Sequence, residues 1–469
     1  MKNRLLTKAL ALLAMLGILT LGLSLIHDVV LDRINHRDSA VQGVVASLAG
    51  KQVLMGPVLV QSCTETHSVQ NGSKTEMTTR QFQRMMLPDQ LRHEATARME
   101  DRARGLHHVN TYVMQDRISA SFAHAAQYLE NPPEDQTAFR STRCGPLRMA
   151  LSMTDPRGIR HARIRAGEKE LEAEPGTSLE RYSQGLQTGI PVRLLQKDAA
   201  LELTVDLEVV GTERLSFVPL GSNSHVSLGA DWPHPSFGGS FLPSRREISA
   251  DGFTAQWNLS ALASSARQAF EKQQPLCRAG GSTEDTHQWG GAAQAASGDG
   301  CLESVDTDFV TPVNPYSLSD RAIKYGLLFV VLTFVAVGLF EVLKHLRVHP
   351  VQYLFVGSAL CSFFLLLVSL SEHMGFAGAY GVAATACVLL LAYYASHILG
   401  SLRRGLPFAA GIAALYGLLY VLLQLEQTAL AVGSVALFAA LALIMVSTRR
   451  VDWYAFGSRD GSTSAQVQA

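Results

Sequence analysis

Gly326-Leu-Leu-Phe-Val-Val-Leu-Thr-Phe-Val-Ala-Val-Gly-Leu-Phe-Glu341 is an apolar run closed by a single acid. With Tyr325 before it and Val342-Leu343 after it, the run is long enough to cross a bilayer core of roughly 30 Å. Working outward, the chain from Gly326 to Thr448 carries only seven charged residues, Glu341, Lys344, Arg347, Glu372, Arg403, Arg404 and Glu426, whereas the rest of the 469 residues is several times richer in charge. The charge-poor stretch resolves into five predicted spans, approximately 325 to 343, 353 to 371, 376 to 397, 407 to 425 and 428 to 446. Toward the N-terminus, Lys2, Arg4 and Lys8 precede another apolar run, Ala9 to Ile26, continuing to Leu31. Its length exceeds the roughly 7 to 15 apolar residues of a secretory leader, and no small-x-small cleavage pattern follows, so it reads as an uncleaved anchor. Six spans put both termini on one side.

The side follows from the basic residues, because Lys and Arg close to span ends stay in the cytoplasm. One set of segments holds Lys2, Arg4, Lys8, Lys344, Arg347, Arg403, Arg404, Arg449, Arg450 and Arg459, while the opposite hairpin tips, Ser371 to Gly375 and Glu426 to Gln427, hold none. Both termini are therefore expected inside, with Asp32 to Asp320 outside. Arg33, Arg321 and Lys324 sit on the unfavoured side, but long domains translocate largely regardless of charge. The averages conceal this division: 40 basic against 40 acidic residues and 47% hydrophobic content resemble a neutral soluble protein. A formal charge of zero offers polyanions no attraction, so nucleic acid is not an expected partner.

The external domain reads as strands. Leu201-Glu-Leu-Thr-Val-Asp-Leu-Glu-Val209 alternates apolar and polar residues, which places Leu201, Leu203, Val205, Leu207 and Val209 on one buried face. Val109 to Phe122 and Glu213 to Phe217 repeat the pattern. The reading is an antiparallel β-rich domain, a sandwich being its candidate arrangement, with a helix at Arg33 to Leu48 leading into it. Cys63, Cys144, Cys277 and Cys301 are external; Cys277 with Cys301 is the preferred disulfide because the two flank the Gly/Ala/Ser-rich stretch 278 to 300, and Cys63 with Cys144 is a second candidate. Cys361 and Cys387 fall within spans as small packing residues.

Candidate functional residues fall in two groups. Outside, Trp232-Pro-His-Pro-Ser-Phe-Gly-Gly-Ser-Phe-Leu-Pro243 fixes an irregular loop, and Trp232, His234, Phe237 and Phe241 form a candidate binding surface for a sugar or a partner protein. The competing reading is a packed loop closing a sheet. Within or beside the spans, Glu341, His349, Gln352, Glu372, His373, Tyr380 and Glu426 are the polar groups to explain, since a charge in the bilayer costs roughly 2.5 to 3.5 kcal/mol on insertion scales. Glu341, His345 and His349 share a helical face, but Lys344, Arg347 and Pro350 favour a solvated helix end over a metal site. Ser371, Glu372 and His373 are consecutive, so on a helix they diverge by about 100° each and form no triad. No hydrolase, phosphate-loop or metal-ligand motif is present in the external domain, and no cofactor, metal or catalytic residue is expected. The hairpins around Glu372 and Glu426, each following a turn with a proline, Pro350 or Pro407, suggest a degenerate parallel repeat.

Tyr316-Ser-Leu-Ser-Asp-Arg321-Ala-Ile-Lys324-Tyr, Phe340-Glu341, His349-Pro-Val-Gln352-Tyr353, Leu370-Ser-Glu372-His373, Ala379-Tyr380, Leu415-Tyr-Gly-Leu-Leu-Tyr-Val-Leu-Leu-Gln424-Leu-Glu426 and Thr448-Arg-Arg-Val-Asp-Trp453 closely resemble the bacterial CreD family of inner-membrane, cell envelope integrity proteins. So do Gly56-Pro57, Arg104-Gly105, Asp155-Pro-Arg-Gly158 and Trp232-Pro-His-Pro-Ser-Phe237. The resemblance covers nearly the whole chain, and the stretch from Cys277 to Cys301 departs from it as an insertion. It implies a multi-pass inner-membrane protein with a large periplasmic domain, for which the spans read above give an N-terminal anchor at 1–31, a periplasmic β-rich domain at 32–324, a five-span bundle at 325–448 and a cytoplasmic tail at 449–469. It also implies production under a two-component system responding to metabolic or β-lactam stress, and altered colicin tolerance, with no established reaction. The function expected is non-enzymatic envelope maintenance, with the lipid bilayer and periplasmic, inner-membrane or cell-wall components as partners. The alternatives are a transporter or lipid-handling protein using the intramembrane Glu and His residues, and a periplasmic glycan-binding module.

Overall fold

The computed structural model describes residues 2–71, 74–104, 107–129, 139–196, 199–276, 301–309, 315–343, 349–398, 402–425 and 428–449. Two compact units divide the chain: Met1–Asp38 with Val313–Ala469, and Ser39–Pro312. The boundaries fall seven residues later and twelve earlier than the expected 32 and 324. Residues 313 to 324 group with the apolar helices because Ala322 and Ile323 are buried in the helical core.

In the β unit, alternation decides the layers. Strand Leu201–Thr212 buries every second residue from Leu201 to Val209, as its sequence predicts, and each such fully buried side chain contributes roughly 1.5 to 3 kcal/mol. It lies in an eight-stranded sheet with the order Arg245–Ser249, Gly252–Ser260, Asn223–Ala230, Gln90–Arg104, His107–Phe122, Leu201–Thr212, Ile159–Ala166 and Lys169–Leu171. The second sheet has nine strands. Its path is Pro235–Gly239, Val305–Phe309, Arg214–Val218, Gln52–Asn71, Arg148–Met153, Gly185–Gly189 and Glu174–Pro175, with Lys74–Met86 and Phe139–Cys144 also paired to the long strand Gln52–Asn71. One apolar core takes Leu54, Met149, Leu151 and Phe217 from the nine-stranded sheet and Leu91, Tyr112, Ile118, Val205 and Trp257 from the other, the arrangement of two sheets packed face to face.

Three expectations change here. The sheets are not purely antiparallel: Gln52–Met55 runs parallel to Leu215–Val218, and Asn223–Ala230 runs parallel to Gln90–Ala97. The strand expected from Glu213 starts at Arg214, because Glu213 takes a left-handed φ of 59° and turns the chain from one sheet into the other. Among the cysteines, Cys63 is bonded to Cys144, directly opposite it in the antiparallel pair. The expected Cys277–Cys301 pair has its first member outside the described residues.

The helices are α1 (Lys2–Ser47), α2 (Ala266–Glu271, in the β unit), α3 (Pro315–Lys324), α4 (Gly326–Leu343), α5 (Pro350–Ser371), α6 (Phe376–Ile398), α7 (Leu402–Gln424) and α8 (Ala429–Thr448). The anchor and the expected helix at 33–48 are one continuous α1. Among the described residues four helices are long and apolar enough to cross a membrane, or five if α3 and α4, bent by 45°, form one span; the apolar part of α8, Ala431–Val446, is shorter. Pro407 lies inside α7 instead of in the preceding turn. As the sixth residue of the helix it stands beyond the first turn and withholds an N–H from the helical ladder.

Candidate functional site

The turn from α5 to α6 carries Glu372 and His373. Glu372 is the C-cap of α5 and reaches Arg33 of α1, Oε1 to Nε at 3.4 Å, with the carboxylate nearly buried. Ser371 donates to the Val368 carbonyl (2.8 Å), and His373 Nδ1 donates to the Ser369 carbonyl (3.2 Å). The three consecutive polar groups thus take three separate partners. Asp320 of α3 lies 3.3 Å from His27 Nδ1 of α1 and pairs with Lys324 one turn on (2.6 Å). These α1 partners escaped the sequence reading, in which Arg33 and Lys324 counted only as cations on the unfavoured side. The available signal was an acid for each: Glu372 at a neighbouring span end for Arg33, and Asp320 four residues earlier on the same helix for Lys324.

The remaining polar residues of the bundle tie helices together. Tyr353, buried on α5, donates its hydroxyl to Glu341 Oε2 of α4 at 2.9 Å. His349 and Gln352 form the N-terminal cap of α5: the Val351 N–H donates to His349 Nδ1 (3.3 Å), and the His349 N–H donates to Gln352 Oε1 (3.1 Å). Such reciprocal caps satisfy backbone N–H groups that a helix start leaves open. Tyr380 of α6 donates to the Tyr416 carbonyl of α7 at 2.6 Å, Tyr416 donates to Cys387 Sγ at 2.9 Å, and Cys387 contacts the Ala359 carbonyl of α5 at 3.3 Å. Tyr416 and Cys387 were not among the expected functional residues. Between α6 and α7 an apolar groove of about 440 Å³ is lined by Tyr380, Tyr416, Tyr420 and the small residues Gly381, Ala384 and Gly417. Glu426 lies outside the described residues, and with it the comparison of the two glutamate hairpins.

In the β unit the aromatic loop does not present its rings. Trp232, Phe237 and Phe241 are half-buried and packed against the core. Phe237 sits edge-on to Phe253 and Trp257 at centroid distances of 5.5 and 5.8 Å, and the Trp257 indole N–H donates to the Phe241 carbonyl at 3.1 Å. Pro235–Gly239 is a strand against Val305–Phe309, so the segment closes a sheet. Of the four candidates His234 alone is exposed.

A more organised polar arrangement lies at Asp155-Pro-Arg-Gly158. The Gly50 N–H donates to Asp155 Oδ2 (3.0 Å), as does Arg157 Nη2 (2.7 Å), while Arg157 Nη1 donates to the Ala46 carbonyl in the last turn of α1 (2.8 Å). A cation on the open carbonyls of a helix end is favourable by geometry and by dipole. Burial alone would raise the Asp155 carboxyl, but hydrogen bonds from Arg157 and the Gly50 N–H outweigh it and hold the group below its ordinary range. The Arg117 guanidinium does the same to Asp206, helped by Arg165. His93 and Asp116 form a buried pair, Nδ1 to Oδ2 at 2.7 Å, across neighbouring strands. Among the described residues no group of three or more His, Cys, Asp or Glu side chains is placed to hold a metal ion.

Residues 4–454 match the family model described as Inner membrane protein CreD. The chain is 32% identical to Inner membrane protein CreD of Escherichia coli (strain K12), over 100% of this chain and 98% of that protein.

Proposed function

The chain belongs to the CreD family of inner membrane proteins, and on that premise we propose that it is a non-enzymatic envelope-maintenance protein whose β unit stands in the periplasm and contacts envelope components. Its apolar helices cross the membrane six times, with both termini cytoplasmic. The observation that carries the orientation is the Arg33–Glu372 contact. It brings the exit of α1 and the α5–α6 turn to one end of the helical unit, while the basic residues Lys344 and Arg347 follow α4 in the sequence and Arg403 and Arg404 open α7; by the positive-inside rule these stay inside. The role follows from the pairing of such a bundle with a β unit that has its own large core. The polar groups of the bundle support anchoring, since Glu341, Tyr353, Tyr380 and Tyr416 are engaged in ties between helices.

Orientation is tested in intact cells with a membrane-impermeant thiol reagent, using Leu262→Cys, at a fully exposed position of the β unit, and Ser462→Cys in the tail. Labelling of the first from outside and of the second only after lysis is expected; the reverse pattern overturns the orientation. The role is tested by complementing cells that lack the chain. Glu341→Gln and Glu372→Gln chains restoring the envelope and colicin phenotypes as well as the parent is the expected result.

A transporter or lipid-handling protein is the second reading, favoured by one observation, an ionisable carboxylate, Glu341, within the apolar helix α4. Solute flux in proteoliposomes that disappears on Glu341→Gln would reverse the order of the two.

A further inference from the structure

α1 meets the other helices along a narrow seam. Leu19, Leu23 and Val30 are buried in the helical core, and Leu12, Leu16, Ile26 and Ile34 pack against it, a spacing of three and four residues that keeps one stripe of a helix on one neighbour. The rest of the same stretch is uncovered: Leu13, Ile18, Leu21 and Leu25 are each more than half exposed. In lipid such a seam gains little from hydrophobicity, because acyl chains are as apolar as leucine; close packing and polar contacts must hold it. Both are present. Leu19 fits where Gly357 of α5 has no side chain, and a Cβ at Gly357 would stand 2.2 Å from Leu19 Cδ1. Beside the seam, one turn beyond Leu23 and Val30, come His27 and Arg33. These are the two α1 residues paired with Asp320 and Glu372.

We propose that these two contacts, His27 with Asp320 and Arg33 with Glu372, form a polar clasp that fixes the register of α1 against α3 and the α5–α6 turn, so that α1 is a permanent wall of the bundle. The clasp acts where the seam is weakest. Leu19 against Gly357 and Leu23 against Gly326 set the depth of α1 within a single turn, and a helix touching its neighbours along a single stripe can still rotate or slide about that turn. Two polar contacts nearly two turns apart, to partners on different helices, oppose both motions. Each contact has one sheltered partner: the Glu372 and Asp320 side chains are 11% and 17% exposed, against 46% for Arg33 and 34% for His27.

The structure supplies a built-in reporter. A Cβ at Gly22 would lie 4.0 Å from Cys361 Sγ of α5 and meet nothing closer, near enough for Gly22→Cys to bridge the native thiol after a small adjustment. The test uses the full chain in native membranes, with Cys387→Ala to remove the second membrane thiol, Cys277→Ser and Cys301→Ser so that no native disulfide can span the cut, and a protease site inserted after Arg278. Oxidation of Gly22→Cys should keep the two fragments joined on a non-reducing gel. Adding Arg33→Glu should slow the bridging severalfold, and the exchanged pair, Arg33→Glu with Glu372→Arg, should restore most of it. Where a single variant fails to accumulate, recovery of abundance by the exchanged pair is the same readout. No bridge in the parent, an unchanged rate in Arg33→Glu, or an exchanged pair no better than the single variant each overturns the clasp. None of these outcomes bears on what the β unit contacts, so the clasp and the proposed function fail separately.

Discussion

Gly158 shows how one residue is dictated by its surroundings. A Cβ there would lie 2.3 Å from the Val210 carbonyl and 2.8 Å from Gln52 Nε2, at the place where Asp155 and Arg157 engage Gly50 and Ala46. Overpacking a filled site costs about 1 to 3 kcal/mol. Gly158→Ala is expected to destabilise the β unit by about 2 kcal/mol, read from denaturant unfolding of the purified chain in detergent. Charge at the same scale fixes a pH dependence. The Asp155 and Asp206 carboxyls are held below their ordinary value, so in the unfolded chain they bind protons more readily than in the folded one. Their contribution is complete above a pH of about 4, the unfolded carboxyl value, and disappears as pH falls through the folded values beneath it. Unfolding midpoints measured from neutral pH downward should therefore decline below about pH 4, and Asp206→Asn should flatten part of that decline. A parent midpoint as high at the acid end as at neutrality would contradict the assignment.

Helix α5 illustrates the element scale. Its start is specified by His349-Pro-Val-Gln352, where the cap accepts from Val351 and Pro350 stands at the first helical position, the place in a helix that proline tolerates best. His349 drew notice as a polar group beside a span, and its geometry is that of a cap. His349→Asn, which keeps a side-chain acceptor, should leave thermal stability within a few tenths of a kcal/mol, whereas His349→Ala should lower it by about 1 kcal/mol. Equal losses in both would mean that the imidazole does something the cap does not. Elsewhere the legibility of elements followed their periodicity. The strand Leu201–Thr212 was readable because a half-buried strand alternates strictly. For the segment Trp232 to Pro243 the reading of a packed loop closing a sheet holds, but its partner was not legible, because the pairing with Val305–Phe309 depends on a strand about seventy residues away. The bend of 45° between α3 and α4 falls where the charged stretch Asp320 to Lys324 gives way to the apolar run, and that composition shift marks the start of a span but not a change of helix direction.

For the whole molecule the division into two units has a thermodynamic consequence. Each has its own core, one built from two sheets and one from helices, so unfolding need not be a single transition. The Cys63–Cys144 bond closes a loop with a sequence separation of 81 entirely within the β unit. By loop-closure entropy its removal should cost that unit about 4 kcal/mol. Replacing both cysteines by serine should therefore lower the transition followed through β-unit tryptophan fluorescence and leave the helical transition, followed through α5–α6 cysteine accessibility, in place. A common shift of both would show that the two units unfold as one.

The sequence by itself determined the membrane character, the positions of most apolar helices, the β-rich nature of the intervening unit and membership of the family. All of these rest on local composition and period, which a linear chain records. Tertiary structure decided the rest: that Cys63 meets Cys144, that two strand pairs run parallel, that the aromatic rings turn inward and that Arg33 and His27 find Glu372 and Asp320. Each joins residues tens to hundreds of positions apart. Spacing along the chain carries no record of such encounters, because which partner a side chain meets is set by how whole elements pack.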